Sequence, residues 1–257
     1  MARPDPAPTQ LDRDLADLRL LEIAKSYREV LDEAARKGSS MLEVLATLIG
    51  MEQTARQQRA LDRRLRQAQL PKQKTLAEYD FTFPKRIPKM SIVRLFDCDF
   101  IPRHGNAVLI GPTGTGKTHL LTALGHTACE RGYTVRYTRV VDMLNQLTTA
   151  QINGRLADAL KTYVRPQLLL LDELGYLPID KRGADLLFQV VAARYESGSI
   201  VLTTNRIFRE WGTLFDVDNT LATALIDRLM HHGEAFVIKG DSYRMRDKDK
   251  PEDPPSA

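Results

Sequence analysis

The chain has 257 residues, 43% apolar and 27% charged, with a net charge of +4. That length suffices for one substantial core and a smaller module, and the composition is that of an ordinary globular protein. No run approaches the roughly 18 apolar residues of a membrane span. The N-terminus lacks the apolar centre of a secretory signal, and Cys98 and Cys129 have no CxxC partner. A membrane protein, a disulfide framework and a zinc site are therefore not expected, and a cytoplasmic location is.

Residues 1–70 read as a small all-helical N-terminal domain. From Leu11 to Leu70 there is no proline and only Gly38 and Gly50, while Leu11, Leu15, Leu18 and Leu21, then Met41, Leu42, Leu45 and Leu48, recur at helical spacing. A break is expected near Lys37-Gly38-Ser39-Ser40, with Ser40 and Glu43 forming a capping box. Between Glu52 and Lys74, seven basic residues (Arg56, Arg59, Arg63, Arg64, Arg66, Lys72 and Lys74) stand against Glu52 and Asp62. The local excess of +5 exceeds the net charge of the whole chain. A helix so charged suits duplex phosphates read without regard to sequence; the plainer alternative is a solvated helix face.

Residues 71–90 carry three prolines after the end of the helical pattern and read as a linker, although Tyr79, Phe81 and Phe83 require packing partners. From 91 the pattern changes. Five apolar runs, NAVLI, TVRYTR, QLLLLD, SIVLTTN and EAFVIKG, alternate with helix-compatible segments. Near-continuous apolar strands between helices predict an α/β domain over 91–246 with a five-stranded parallel sheet covered on both faces. Residues 247–257 read as a disordered tail.

GPTGTGKT, from Gly111 to Thr118, matches every fixed position of G-x-x-x-x-G-K-[ST] and lies between an apolar strand and a predicted helix. Gly111, Pro112, Thr113, Gly114, Thr115 and Gly116 would turn backbone N–H groups toward phosphate oxygens, and the helix beginning at Lys117, Thr118 and His119 would add its dipole and unpaired donors. Lys117 supplies charge at the outer phosphates and Thr118 a hydroxyl ligand for Mg²⁺. Asp172 emerges at the C-terminal end of LLLLDELG, where open sheets bind ligands, and suits the same metal through water. Glu173 beside it is placed to polarise an attacking water. Asn205 ends the next apolar run and could hold that water. Arg228, in ATALIDRLMHH, suits a phosphate clamp in its own site or a neighbour's; the alternative is a surface pair with Asp227. His231 and His232 are adjacent, and neighbouring helix positions do not share a face, so no metal site is expected there. Trp211 reads as core.

The order GPTGTGKT, LLLLDELG, VLTTN, IDRL and GDSYR resembles the IstB/DnaC branch of the AAA+ P-loop ATPases, and within it the IstB transposition helpers. KTLAEYDFTFPKRI, DELGYLPIDKRGADLLFQVVAARYE and LIDRLMHHGEAFVIKGDSYR carry the match over nearly all of 40–246. The resemblance implies an ATPase using ATP and Mg²⁺. It also implies assembly into a homo-oligomeric ring or spiral on duplex DNA, and help to an IstA-type transposase in choosing a target and inserting. It assigns Arg228 to the ATP site of the next subunit. Lys181 and Arg182 then become a second candidate DNA contact beside Arg56, Arg59, Arg63, Arg64 and Arg66. Seventeen residues follow Gly240, too few for the helical C-terminal lid common in AAA+ proteins, so none is expected. Arg244 is a candidate substitute for the sensor that such a lid carries. The alternative within the branch is a DnaC-like loader of a replicative helicase. A small-molecule kinase fits less well, because no acceptor pocket is recognisable and the Asp-Glu pair suits attack by water.

Overall fold

A computed structural model describes residues 9–215 and 219–243. The chain divides into two compact units, Met1–Arg63 and Arg64–Ala257.

The first unit is helical. Thr9 and Asp12 form a reciprocal capping box that starts α1 (Gln10–Asp17). Helix α2 (Leu21–Lys37) stops at Gly38, whose φ of 68° is a left-handed conformation that glycine adopts without strain. Helix α3 (Met41–Ala68) opens with the anticipated exchange: Ser40 N–H donates to Glu43 and Glu43 N–H to the Ser40 hydroxyl. The pin of this unit is Glu52, which is 4% exposed. Its carboxylate accepts from the unpaired N–H groups of Glu22 and Ile23 at the start of α2, and from Arg56 and Arg59. Burial works against the charged form of Glu52, but these bonds outweigh it and hold its pKa below the usual value.

The second unit is built on the five runs seen in the sequence. They form β1 (Asn106–Ile110), β2 (Val135–Arg139), β3 (Leu168–Leu174), β4 (Ser199–Thr204) and β5 (Gly233–Val237), all parallel, in the order β2-β3-β4-β1-β5. Strand β1 is thus flanked by β4 and β5 although the chain leaves it for β2 at the far edge. One face packs on α6 (Val140–Ile152), α7 (Leu156–Val164), α8 (Lys181–Arg194), α9 (Trp211–Leu214) and α10 (Asn219–Met230), with Val108, Leu169, Leu171, Ile200 and Leu202 pointing into this core. Trp211 is fully buried there, as expected. The other face receives α5 (Lys117–Glu130), and α4 (Lys89–Leu95) precedes β1. Gly125 is required on α5, since a Cβ there would come within 2.6 Å of Leu70 and 2.7 Å of Leu170.

At the edge where the strands begin, Arg194 is buried and donates to the carbonyls of Tyr163, Val164, Pro166, Gln167 and Ser199. Burial without a carboxylate partner lowers its pKa to about 10. It ties the end of α8 to the entries of β3 and β4.

Candidate nucleotide-binding site

The turn after β1 is held from several sides. Gly111 N–H donates to Thr204 O at the end of β4, and the Thr115 hydroxyl to Pro112 O. Gly114 and Gly116 have φ of 84° and 83°, conformations that L side chains rarely adopt. Gly116 caps α5 without a side-chain bond, so the first N–H groups of that helix face outward with its positive dipole end. The Lys117 ammonium lies 2.7 Å from both Gly111 O and Pro112 O, and its residue is 4% exposed. This is a cradle for an anion: fixed backbone donors and one buried ammonium.

Beside it, β3 delivers Asp172. The carboxylate is 1% exposed and accepts from the Thr118 hydroxyl at 3.1 Å, the Tyr137 hydroxyl at 2.9 Å, and the Thr203 hydroxyl. The strand register shifts between Leu171 and Leu174, and within that irregularity Glu173 takes φ of 64°. A non-glycine residue in that region costs about 1 kcal/mol or more, and such conformations concentrate at functional sites. Here Glu173 N–H is held by Thr203 Oγ1 at 2.9 Å and by Asp172 Oδ1. At this irregularity Glu173 is half-buried, between the buried Asp172 and Leu174. The Asn205 side-chain oxygen, which lies close to Gly175, is buried without a hydrogen-bond partner among the described residues. A buried acceptor left unmet is costly and marks a place for a donor, such as a water.

Within residues 71–90, expected as a linker, Thr75 and Tyr79 lie against the phosphate loop and the start of α5. Tyr79 is buried; its hydroxyl donates to Thr115 O at 2.9 Å, and its ring would lie 2.5 Å from a Cβ on Gly116. Burial raises its pKa to about 12, so it remains a donor at any ordinary pH. His119 Nε2 sits 2.8 Å from Thr75 O and meets the Tyr79 ring edge-on, so this residue faces that segment. A second segment crosses from the other side: Ile238 N–H donates to Ile110 O, and Tyr243 N–H to Gly114 O. Arg244 lies outside the described residues.

Arg228 is not brought to this cluster. Its guanidinium stacks 4.6 Å above Phe188 of α8 and donates to Ala224 O, and no ion pair with Asp227 forms among the described residues. The next residue, Leu229, accepts through its carbonyl from the side chain of Asn106, which begins β1, whereas the phosphate loop follows Ile110 at the other end. At about 3.3 Å per residue, the two ends of β1 lie roughly 13 Å apart. Arg228 therefore stands at the edge of the sheet opposite to its own phosphate loop.

The basic candidates differ in availability. Arg56 and Arg59 are already bound to Glu52, Arg56 also to Arg19 O, and Arg64 donates to Cys129 O. They are structural ties as well as charges, which a count along the sequence does not reveal. Arg63, Arg66, Lys181 and Arg182 are exposed and form no ion pair among the described residues. Sequence reasoning also missed Tyr137 and Thr203 around Asp172. Tyr137, on β2 at the edge of β3, pairs in register with Leu170. Only the strand order makes it a neighbour of the carboxylate.

The family profile described as IstB-like ATP binding protein matches residues 13–251. The chain is 38% identical to the ATP-binding protein of insertion sequence IS21 from Pseudomonas aeruginosa over 94% of its own length and 91% of that relative. It is equally identical to the ATP-binding protein of IS5376 from Geobacillus stearothermophilus, over 90% and 92% of the two chains. Among solved structures, the fold is similar to AMPPCP-bound DnaA from Aquifex aeolicus, at a TM-score of 0.56 and 24% identity over 69% of this chain and 54% of that one. It is also similar to the DnaC helicase loader, at 0.54 and 23% over 64% and 96%. Among the described residues, no helix is long and apolar enough to cross a membrane.

Proposed function

Because the chain belongs to the IstB-like ATP-binding protein family of insertion sequences, we propose that it is a magnesium-dependent ATPase that assembles on duplex DNA, recruits or stimulates an IstA-type transposase, and leaves when ATP is hydrolysed. It has the P-loop AAA+ core of an ATP-binding protein. The observation that supports the reading further is the hydrogen-bonded set of Thr118, Asp172 and Glu173 beside the Gly111–Thr118 cradle, with the unmet Asn205 oxygen at the end of β4.

The residues fit the groups proposed. Gly114, Gly116 and the uncapped start of α5 present backbone donors to phosphate oxygens. Lys117 has its ammonium on loop carbonyls, within reach of the outer phosphates. Thr118 and Asp172 offer hard oxygen ligands, and Mg²⁺ held there would neutralise charge on the terminal phosphates. Tyr137 and Thr203 fix the Asp172 carboxylate, leaving Glu173 as the acid not tied down by that network. Glu173 accepts a proton from water, and the unmet Asn205 oxygen accepts from the same water and orients it. Arg228, next to a residue bonded at the start of β1 while its own loop follows the end of that strand, serves a neighbouring subunit's site, where its charge would stabilise the transferring phosphoryl group. Turnover then depends on assembly. Arg63, Arg66, Lys181 and Arg182 are the cations proposed to meet DNA phosphates, giving binding indifferent to sequence that weakens as salt rises.

Mass photometry with ATP, Mg²⁺ and long duplex DNA tests the assembly. The expected result is multimers that require both ATP and DNA; monomers alone under those conditions would refute it. The alternative of a helicase loader draws support from likeness to the DnaC fold. Retention of a replicative helicase on a column of this protein, with none of a transposase, would favour that alternative.

A further inference from the structure

We propose that Glu196, His231 and His232 form a site for one divalent transition-metal ion of the imidazole-binding class, zinc being the probe of choice. Two adjacent histidines on a helix point apart, but α10 ends at Met230 and both residues lie in the turn before β5. The turn brings their rings to one side, with centroids 4.2 Å apart. The carboxylate comes from another element: Glu196 follows α8 with φ of 55°, and its oxygen lies 3.6 Å from His232 Nε2. One donor atom from each of the three residues falls within 4.8 Å of the others. A tetrahedral zinc with ligands at about 2.1 Å spaces its donors about 3.4 Å apart. All three side chains are exposed, so rotamer adjustment closes that gap without moving the backbone.

A fourth residue orients the set. The Tyr195 hydroxyl is 2.7 Å from His231 Nδ1, and the two rings stack at 5.8 Å. When Nδ1–H donates to this hydroxyl, Nε2 is the atom left to ligate, the arrangement by which a hydrogen-bond partner fixes a liganding imidazole. Two imidazoles and one carboxylate suit zinc or nickel better than the harder magnesium. The cluster is distinct from the nucleotide site, because the His232 carbonyl accepts from Asn106 N–H at the start of β1. It also joins the two helices that hold Arg228: α10 carries that residue three positions before His231, and α8 carries Phe188 beneath it. A bound ion ties the ends of these helices together one turn beyond Arg228.

The test is calorimetric titration of Zn²⁺ into the chelator-treated, nucleotide-free full chain at pH 7.5, with Co²⁺ spectra in parallel. One equivalent per chain is expected, with cobalt bands that lack thiolate charge transfer, which separates the site from Cys98 and Cys129. His231→Ala, His232→Ala and Glu196→Gln should each weaken binding at least about tenfold, and Tyr195→Phe by about tenfold. Asp172→Asn should leave it unchanged. Circular dichroism in chelator checks that each variant is folded. Absence of zinc binding to the wild-type chain overturns the proposal, as does undiminished binding in a folded His231→Ala/His232→Ala double variant.

Discussion

Replacing Tyr137 by phenylalanine removes one oxygen and changes little else. The hydroxyl donates at 2.9 Å to Asp172, a carboxylate that is 1% exposed, so water cannot readily take its place. A hydrogen bond to a charged group contributes about 1.5–3 kcal/mol. Burial, with the Asp172 charge adding to it, pushes the Tyr137 pKa well above the working range, so the phenol is protonated at every practical pH and the loss is independent of pH there. In a unit of this size each kcal/mol corresponds to roughly 2–4 °C, so Tyr137→Phe should lower the nucleotide-free melting temperature by about 3–12 °C. The same carboxylate is proposed to steady magnesium. The Mg²⁺ concentration that half-saturates binding of a fluorescent ATP analogue should therefore rise, by up to about tenfold if 1.4 kcal/mol of the loss is felt there. A variant that melts within about 1 °C of wild type and binds with unchanged magnesium dependence would refute the reasoning.

Glu173→Gln should retain ATP binding while slowing steady-state phosphate release at least about 100-fold, the lower bound for loss of a general base; normal turnover would remove Glu173 from that role. Arg228→Ala should bind nucleotide normally yet lose assembly-stimulated hydrolysis, and mixing it with Lys117→Ala should restore part of it, since one partner supplies the arginine and the other the intact loop. No rescue at any ratio counts against action between subunits. Glu52→Gln should destabilise the helical unit in thermal melts at neutral pH. Because the folded pKa of Glu52 is lowered, its contribution is present above the unfolded value and is lost as pH falls through the folded one, so the two proteins should converge in acid. A constant difference between neutral and acid pH would contradict that assignment.

The strands were legible because β1, β3 and β4 bury both faces and so read as unbroken apolar runs, and the loop glycines because their spacing is fixed by backbone geometry. Ser40 and Glu43 were legible for the same local reason: a cap is decided within four residues. What the chain did not disclose depends on pairing across the sheet. Tyr137 meets Asp172 only because β2 lies against β3. Tyr79 looked like part of a linker because its partner, Thr115 O, is 36 residues away. Within the basic run, Glu52 engages two arginines and the Cys129 carbonyl a third, ties that a count along the chain does not show. The approach of the His231 and His232 rings comes from a turn, where helical spacing does not apply.

The second segment over the phosphate loop bears on how such motifs evolve. A Cβ on Gly111 would lie 2.4 Å from the Ile238 carbonyl oxygen, and one on Gly114 would collide with Ser242, down to its Cα at 2.9 Å. Both glycines are thus demanded by the chain's own backbone, before any phosphate arrives. Lys117 holds its place differently, through its ammonium on the carbonyls of Gly111 and Pro112. Descendants of this protein that abandon ATP should lose Lys117 long before Gly111 or Gly114, leaving a glycine signature that outlives its ligand.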